Sequence, residues 1–167
     1  LHPCDSANAW RHIVAASNAR NSAASLILAG YQVALDRIQR GGDFAEWQPR
    51  PTEDRLSKLM ASGPADLLKR LDASIRENDQ ETACAAAQRY LDLGHPTRAA
   101  FDLLLSYAIS EDGALHAEKF YRTASDEYAR LPDGLKNRQV VALARVSASA
   151  FGQPAPGVAE AKRRLSR

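Results

Sequence analysis

The sequence has little of what most recognisable metal sites and disulfide folds require. Its 167 residues contain two cysteines, Cys4 and Cys84, which lie far apart and belong to no CxxC pair. A structural zinc site and a disulfide scaffold are therefore unsupported. We expect two reduced thiols, and we leave one bridge between them open because closing so long a loop is entropically permitted.

The sequence also lacks an excess of one charge and any long apolar run. Its 22 basic and 20 acidic residues mix along most of the chain, so we expect no nucleic-acid partner. A basic cluster, Lys162 to Arg167, predicts a solvated helix end or tail, with an anionic partner as the alternative. The stretch "NSAASLILAG" is too short and too polar to span a bilayer, and we expect a cytoplasmic protein.

Valine and isoleucine are scarce, whereas alanine supplies nearly a fifth of the residues. Alanine loses no side-chain entropy in a helix and β-branched residues do, so this bias favours helix. No segment alternates polar and apolar residues in the manner of a strand. The sequence therefore predicts an all-α protein, either an antiparallel helical bundle or a stack of helical hairpins, with about six to seven helices.

Residues 1–151 are predicted to form a single all-α domain. "GQPAPG" then reads as a proline-rich linker, so residues 152–167 are predicted to be a linker and a basic tail. The chain begins with Leu1 and not Met, from which we expect that it is processed or cut from a longer protein.

Apolar and small residues recur every three or four positions from Ala7 to Arg40, which predicts one long helix that stops at Gly41 and Gly42. Proline, glycine and capping residues divide the rest of the chain. Further helices are predicted at about 52–60, 64–76, 81–93, 95–110, 113–131 and 135–151.

"ACAAAQRYLDLGHPTRAAFDLLLSYA", residues 83–108, resembles a tetratricopeptide hairpin. Small residues are followed by Tyr and Leu-Gly, and then by a second helix. No second copy follows at the period of about 34 residues that such repeats show, so an array is not expected. The segment supports the hypothesis of a helical scaffold for another protein domain or subunit.

"SEDGALHAEKF", residues 110–120, concentrates carboxylates beside a histidine. If the helix begins early enough, Asp112 and His116 stand one turn apart on the same face and form the predicted catalytic pair. Carboxylates and histidines on several helices also build iron sites in bundles. The predicted metal ligands are Glu111, His116, His2 and His12. The cofactor is unknown, with iron as the candidate.

A structural interpretation of this segment is open as well. Asp112 before Gly113 is a natural helix N-cap, with Glu111 solvated beside it and His116 half-buried. Neither the spacing nor the residue types separate this interpretation from a functional site.

Three other polar residues are predicted to bind substrate. Ser17 and Asn21 interrupt the apolar stripe of the first helix, where they either fix the register between helices or line a polar pocket. His95 precedes Pro96 at a helix start, where it is either a turn residue or a ligand.

Three stretches in order, "LHPCDSANA", "GHPTRAAFDLLLSYAISEDGALHAEKFYRT" and "RQVVALARVSASAFG", resemble the C-terminal helical part of questin-oxidase-like bacterial proteins. Fungal members of that family cleave rings of aromatic polyketides in an oxygen-using reaction, although this chain is much shorter than those enzymes. The resemblance implies an aromatic small-molecule substrate. It also implies that His2, Glu111, Asp112 and His116 line a helical pocket.

Two hypotheses follow from the sequence. The first is a helical module of an oxidoreductase with a pocket lined by histidine and carboxylate groups. The second is a non-catalytic, tetratricopeptide-like scaffold or accessory subunit that docks another protein.

Overall fold

The computed structural model describes residues 2–41, 46–112 and 116–166, and the regular elements in these ranges are all helices. The all-α prediction is confirmed. The described ranges hold nine helices where six or seven were predicted. They are α1 (His2–Ala15), α2 (Ala19–Arg40), α3 (Glu53–Ser57), α4 (Pro64–Arg76), α5 (Gln80–Asp92), α6 (Thr97–Ser110), α7 (His116–Arg130), α8 (Asp133–Ala150) and α9 (Val158–Leu165).

The chain divides into two compact units, Leu1–Trp47 and Gln48–Arg167, here called the N-terminal and C-terminal units. The division falls after α2, whereas the sequence placed a boundary at residue 151. Residues 152–167 belong to the C-terminal unit and include α9. None of the helices in the described ranges combines the length and apolar content that crossing a membrane requires.

The N-terminal unit contains two helices where the sequence predicted one. The prediction of a continuous helix from Ala7 to Arg40 is wrong, because Asn18 starts a new helix. Its side-chain oxygen accepts a hydrogen bond from the Asn21 amide at 3.0 Å. The Ser22 hydroxyl then donates to the Val14 carbonyl at 3.1 Å and ties α2 back to the end of α1. Gly41, with a φ of +70°, ends α2, while Gly42 lies outside the described residues.

The C-terminal unit is built around α8, which packs against α4, α5, α6 and α7. Alanines such as Ala86, Ala144 and Ala148 are fully buried, so helix backbones approach one another closely. Larger side chains fill the space between the helices, and α3 covers part of α5. The largest of these buried side chains are Tyr90, Phe120, Leu67, Leu71, Ile75, Leu104, Leu143 and Val140.

The segment that resembles a tetratricopeptide hairpin has different packing partners. Helix α5 packs on α4 and α8, whereas α6 packs mainly on α7. Gly94, with a φ of +73°, and Pro96, which precedes α6, turn the chain between them. Pro96 lies just before the helix and not at its first position.

The two cysteines do not form a disulfide, and their surroundings differ. Cys84 is buried on α5, where its Sγ donates weakly to the Val141 carbonyl oxygen at 3.8 Å. Burial raises the pKa of this thiol to about 11, which suppresses the reactive thiolate at neutral pH. Cys4 is exposed on α1. The expectation of two unbridged thiols agrees with this arrangement.

Candidate functional site

The stretch between α6 and α7 pairs with the chain that follows α8. Glu111 forms an isolated antiparallel bridge with Pro154. On either side of the bridge, the Asp112 amide donates to the Gln153 carbonyl at 2.7 Å, and the Ala155 amide donates to the Ser110 carbonyl at 2.8 Å. The predicted linker is therefore held against the segment that carries the predicted catalytic residues.

The Glu111 carboxylate strengthens this attachment. Its Oε2 accepts hydrogen bonds from the amides of Gly152 at 2.9 Å and Gln153 at 2.8 Å. Hydrogen bonds to an ionised acceptor are stronger than neutral ones. Glu111 was predicted to be either a metal ligand or a solvated neighbour of a helix cap. In the structure its side chain is half-buried and binds the backbone beyond α8.

We expect Glu111→Ala to release the chain beyond α8. The amide hydrogens of Gly152 and Gln153 should exchange at least about tenfold faster, because two charge-assisted hydrogen bonds are lost. The free energy of unfolding should fall by about 1 kcal/mol, since the site is only half-buried. Hydrogen exchange followed by mass spectrometry measures the first effect. Glu118→Ala, at an exposed position of α7, is the matched control, and equal exchange in both variants would contradict the account.

Backbone hydrogen bonds join Asp112 to the start of α7. The Asp112 carbonyl oxygen accepts from the amides of His116 at 3.1 Å and Ala117 at 3.4 Å. Both side chains are half-buried. Their predicted catalytic roles stay predictions, and the predicted helix start at Gly113 lies outside the described residues.

The predicted metal ligands divide between the two units. His2 and His12 are exposed on α1 of the N-terminal unit. They are ten residues apart, or about 15 Å along a helix, so only one of them would reach a given ion. Glu111 and His116 belong to the C-terminal unit. Within the described ranges, no group of three His, Cys, Asp or Glu residues is arranged to hold a metal. The metal-binding roles of these residues stay predictions.

The three predicted substrate-binding residues lie at turns and helix starts. Ser17 is half-buried in the turn between α1 and α2, and Asn21 is exposed in the first turn of α2. His95 connects two loops of the C-terminal unit. Its Nε2 donates to the Ser62 carbonyl at 3.0 Å, and its ring lies 5.0 Å from the Tyr90 ring. These contacts give His95 a structural role, and the substrate-binding roles stay predictions.

A cluster that the sequence analysis missed joins α4 to α6. The Tyr107 hydroxyl donates to the Asp72 carboxylate at 2.5 Å, and Arg76 pairs with the same carboxylate at 2.9 Å. The Arg76 guanidinium also lies 5.7 Å from the centre of the Tyr107 ring. Arg76 and, to a smaller extent, Tyr107 lower the pKa of Asp72. Burial, followed by the bond to Asp72, raises the pKa of Tyr107.

Tyr107→Phe should lower the free energy of unfolding by about 1–2 kcal/mol at pH 7, because a hydrogen bond to a charged group is lost. The pKa of Asp72 is depressed in the folded state, so this contribution is complete above the unfolded pKa of about 3.9. This stabilising contribution is lost as the pH falls through the pKa of Asp72 in the folded state. Urea unfolding of both proteins between pH 7 and pH 3 measures the difference. An equal loss of unfolding free energy at pH 7 and at pH 3 would contradict the hydrogen bond between Tyr107 and the charged Asp72 carboxylate.

A polar cleft of about 470 Å³ lies between α3, α5 and the start of α8. Glu53, Asp92 and Asp133 place carboxylates around it. Asp92 accepts from Gln88 at 2.6 Å, and Asp133 pairs with Lys136 at 2.5 Å. No aromatic ring is among the residues that line the cleft, so an aromatic substrate would find no stacking surface there.

No protein-family model, curated protein or solved structure matches this chain. The resemblance to questin-oxidase-like proteins therefore stays a prediction.

Proposed function

We propose that this protein is a non-catalytic helical scaffold that docks another polypeptide through one face of α2. The observation that carries the proposal is an inverted pattern of burial in the N-terminal unit. Its buried residues in the described ranges are the polar Asn8 and Ser25. Large apolar side chains of α2 are exposed instead, with Leu28 at 47%, Tyr31 at 65% and Ile38 at 76%.

Leu28, Tyr31 and Ile38 share one side of the helix, here called the α2 seam, whereas the exposed Ile27 flanks that side and the exposed Leu26 lies on the opposite side. Its six members recur at intervals of three and four residues, which places them on one face. Asn21 and Ala24 are exposed, and Leu35 is half-buried. The α2 seam consists of Asn21, Ala24, Leu28, Tyr31, Leu35 and Ile38.

Helix α1 packs against a different side of α2. The buried Ser25 lies on that side, together with Ser22, whose hydroxyl bonds to α1, and the half-buried Ala29. Small side chains suit close helix packing, so α1 uses the narrow side of α2 and leaves its larger apolar side chains exposed. Contiguous exposed apolar surface of this kind marks interaction sites.

Docking of a partner supplies the stabilisation that the α2 seam otherwise lacks. Complete burial of a Leu or Ile side chain contributes about 1.5–3 kcal/mol. Leu28 and Ile38 obtain only part of that contribution within the chain, because Leu28 is 47% and Ile38 is 76% exposed. The C-terminal unit, by contrast, has a continuous apolar core and provides the rigid part of the scaffold.

Site-specific photo-crosslinking tests the proposed function. p-Benzoylphenylalanine replaces Tyr31 in one variant and Ala129, an exposed residue of α7, in the control, and cells that make the protein at its native level are irradiated. We expect the Tyr31 variant alone to form an adduct heavier than the 18.2 kDa chain. A folded protein that forms no adduct from Tyr31, Leu28 or Ile38 would contradict the proposal.

We propose as a second candidate a helical module of an oxidoreductase that binds an aromatic polyketide at Asp112 and His116. The half-buried side chains of both residues, and the hydrogen bond from the His116 amide to the Asp112 carbonyl oxygen, support it. Fluorescence titration with an aromatic polyketide is expected to show binding that His116→Ala weakens at least about tenfold, with the unfolding transition unchanged. Equal affinity in both proteins, or no binding, would eliminate this candidate.

A further inference from the structure

The chain beyond α8 has the sequence "GQPAPG", residues 152–157, which combines a hinge with a stiff segment. Gly152 has a φ of +91°, a conformation that glycine adopts without strain. The rings of Pro154 and Pro156 fix φ at about −65°. Ala155 lies between them, and the proline that follows it favours an extended backbone there. Residues 153–156 are here called the strap.

Helix α9 begins directly from the strap. Gly157, with a φ of +83°, is its N-cap, and the Val158 amide donates to the Ala155 carbonyl at 3.3 Å. None of the residues from 152 to 166 is buried. Burial of apolar surface therefore contributes little to holding the strap and α9 against the C-terminal unit.

Hydrogen bonds hold the strap in place instead. Because proline lacks an N–H, the strap has only the amides of Gln153 and Ala155, and both are bonded. The Gln153 amide donates to the Glu111 carboxylate, and the Ala155 amide donates to the Ser110 carbonyl. The Gln153 carbonyl accepts from the Asp112 amide. Three consecutive residues, 110–112, therefore hold the whole strap.

The residue before the hinge is fixed to the core by other contacts. The Phe151 carbonyl accepts from the Asn78 Nδ2 at 2.9 Å, and the Phe151 ring lies 5.9 Å from the Tyr107 ring. These contacts do not involve the strap. Exposed hydrogen bonds without apolar burial open at a lower free energy than a packed core does. The strap is therefore able to leave its place while Phe151 keeps its own.

We propose that the strap and α9 form an arm that opens at Gly152 in one step, while α8 and the core stay folded. In the open state the Glu111 carboxylate and the backbone of Ser110 and Asp112 lose their hydrogen bonds to the arm. The position of the basic α9 is thereby coupled to Asp112, a member of the predicted catalytic pair. A ligand that binds α9 only in the open arm would also release Asp112. The inference does not rest on the proposed function, since α2 belongs to the N-terminal unit.

Hydrogen exchange of single amides, followed by NMR on the complete chain, tests whether the arm opens as one unit. The amides of Gly152 and Gln153 bond to the Glu111 side chain, whereas those of Asp112 and Ala155 bond to backbone carbonyls. Opening in one step gives the four amides protection factors that agree within about threefold. Glu111→Ala should then lower all four by a common factor of about ten.

Urea separates the opening of the arm from the unfolding of the whole chain. The four amides should keep their protection at low urea concentrations, because opening exposes little surface. The amide of the buried Val141 in α8 should lose protection steadily under the same conditions. Glu118→Ala, at an exposed position of α7, is the control and should leave the four amides unchanged. If circular dichroism shows that Glu111→Ala is unfolded, Glu111→Gln replaces it and should lower the four protection factors by a smaller common factor.

Two results would overturn the inference. In the first, the Glu111 variant changes Gly152 and Gln153 alone, so that the bonds of Asp112 and Ala155 open independently. In the second, the four amides lose protection in low urea as steeply as Val141 does, so that the arm does not open apart from the fold. Neither result bears on docking at the α2 seam, which photo-crosslinking tests.

Discussion

Replacement of Phe120 by alanine is expected to lower the free energy of unfolding of the C-terminal unit by about 3–5 kcal/mol. Phe120 is 2% exposed on α7 and belongs to the continuous apolar core beneath α8. The variant loses the transfer free energy of the ring and leaves a cavity, since fully buried members of the same core such as Leu104 and Ala144 have little freedom to fill the space.

Urea denaturation followed by far-UV circular dichroism measures this loss. Ile109→Ala is the matched control, because it also removes a large apolar side chain, but one that is 64% exposed on α6. We expect the control to change stability by about 0.5 kcal/mol or less. A loss below about 1.5 kcal/mol for Phe120→Ala would mean that α7 is not packed in the manner described.

Replacement of Asn78 by alanine is expected to cost about 2–4 kcal/mol, although the residue lies in a turn. Asn78 connects α4 and α5 with a φ of +54°, in the left-handed region that asparagine tolerates and alanine does not. Its Nδ2 donates to the Ala148 and Phe151 carbonyls at 2.9 Å each, at the end of α8. Alanine introduces the backbone strain and removes both hydrogen bonds.

Asn78→Gly separates the two contributions. Glycine adopts a positive φ without strain and lacks the side-chain amide, so we expect it to cost about 1–2 kcal/mol. The order of stability should be wild type, then Asn78→Gly, then Asn78→Ala, with about 1–2 kcal/mol between the two variants. Chemical denaturation of the three proteins measures this order. A glycine variant as unstable as the alanine variant would contradict the assignment of strain.

The C-terminal helices follow from the sequence because proline, glycine and short polar residues mark their ends. Helix α4 begins at Pro64 and α5 follows its Asp79 cap, each within one residue of the predicted start. The break between α1 and α2 was not predictable from periodicity. Ser17 and Asn21 continue the spacing of three and four residues across the turn, and only the Asn18 cap separates the helices.

The candidate site was less predictable, because its contacts join residues that are distant in the sequence. Glu111 binds the amides of Gly152 and Gln153, about 40 residues away, and Tyr107 binds Asp72, 35 residues away. The spacing of residues along one helix does not reveal such partners. The interval of four residues between Asp72 and Arg76 is enough to predict that their side chains pair on one helix. No interval in the sequence predicts that Tyr107 joins them.

For the exposed face of α2, the sequence identified the residues of the face but not their surroundings. The spacing of three and four residues in the sequence identified its apolar stripe. In the structure Leu28, Tyr31 and Ile38 are exposed, because α1 occupies the side that carries Ser22 and Ser25. Periodicity identifies an apolar face but does not identify what covers it.

The central claim is that the protein acts through the α2 seam and not through the pair formed by Asp112 and His116. The most direct test is the size of the assembly that the protein forms at native level in the cells that make it. Size-exclusion chromatography of gently lysed cells would compare the wild type with Leu28→Glu and His116→Ala. The account predicts an assembly larger than one chain that Leu28→Glu abolishes and His116→Ala preserves. An assembly that survives Leu28→Glu, or that is lost in a folded His116→Ala variant, would contradict it.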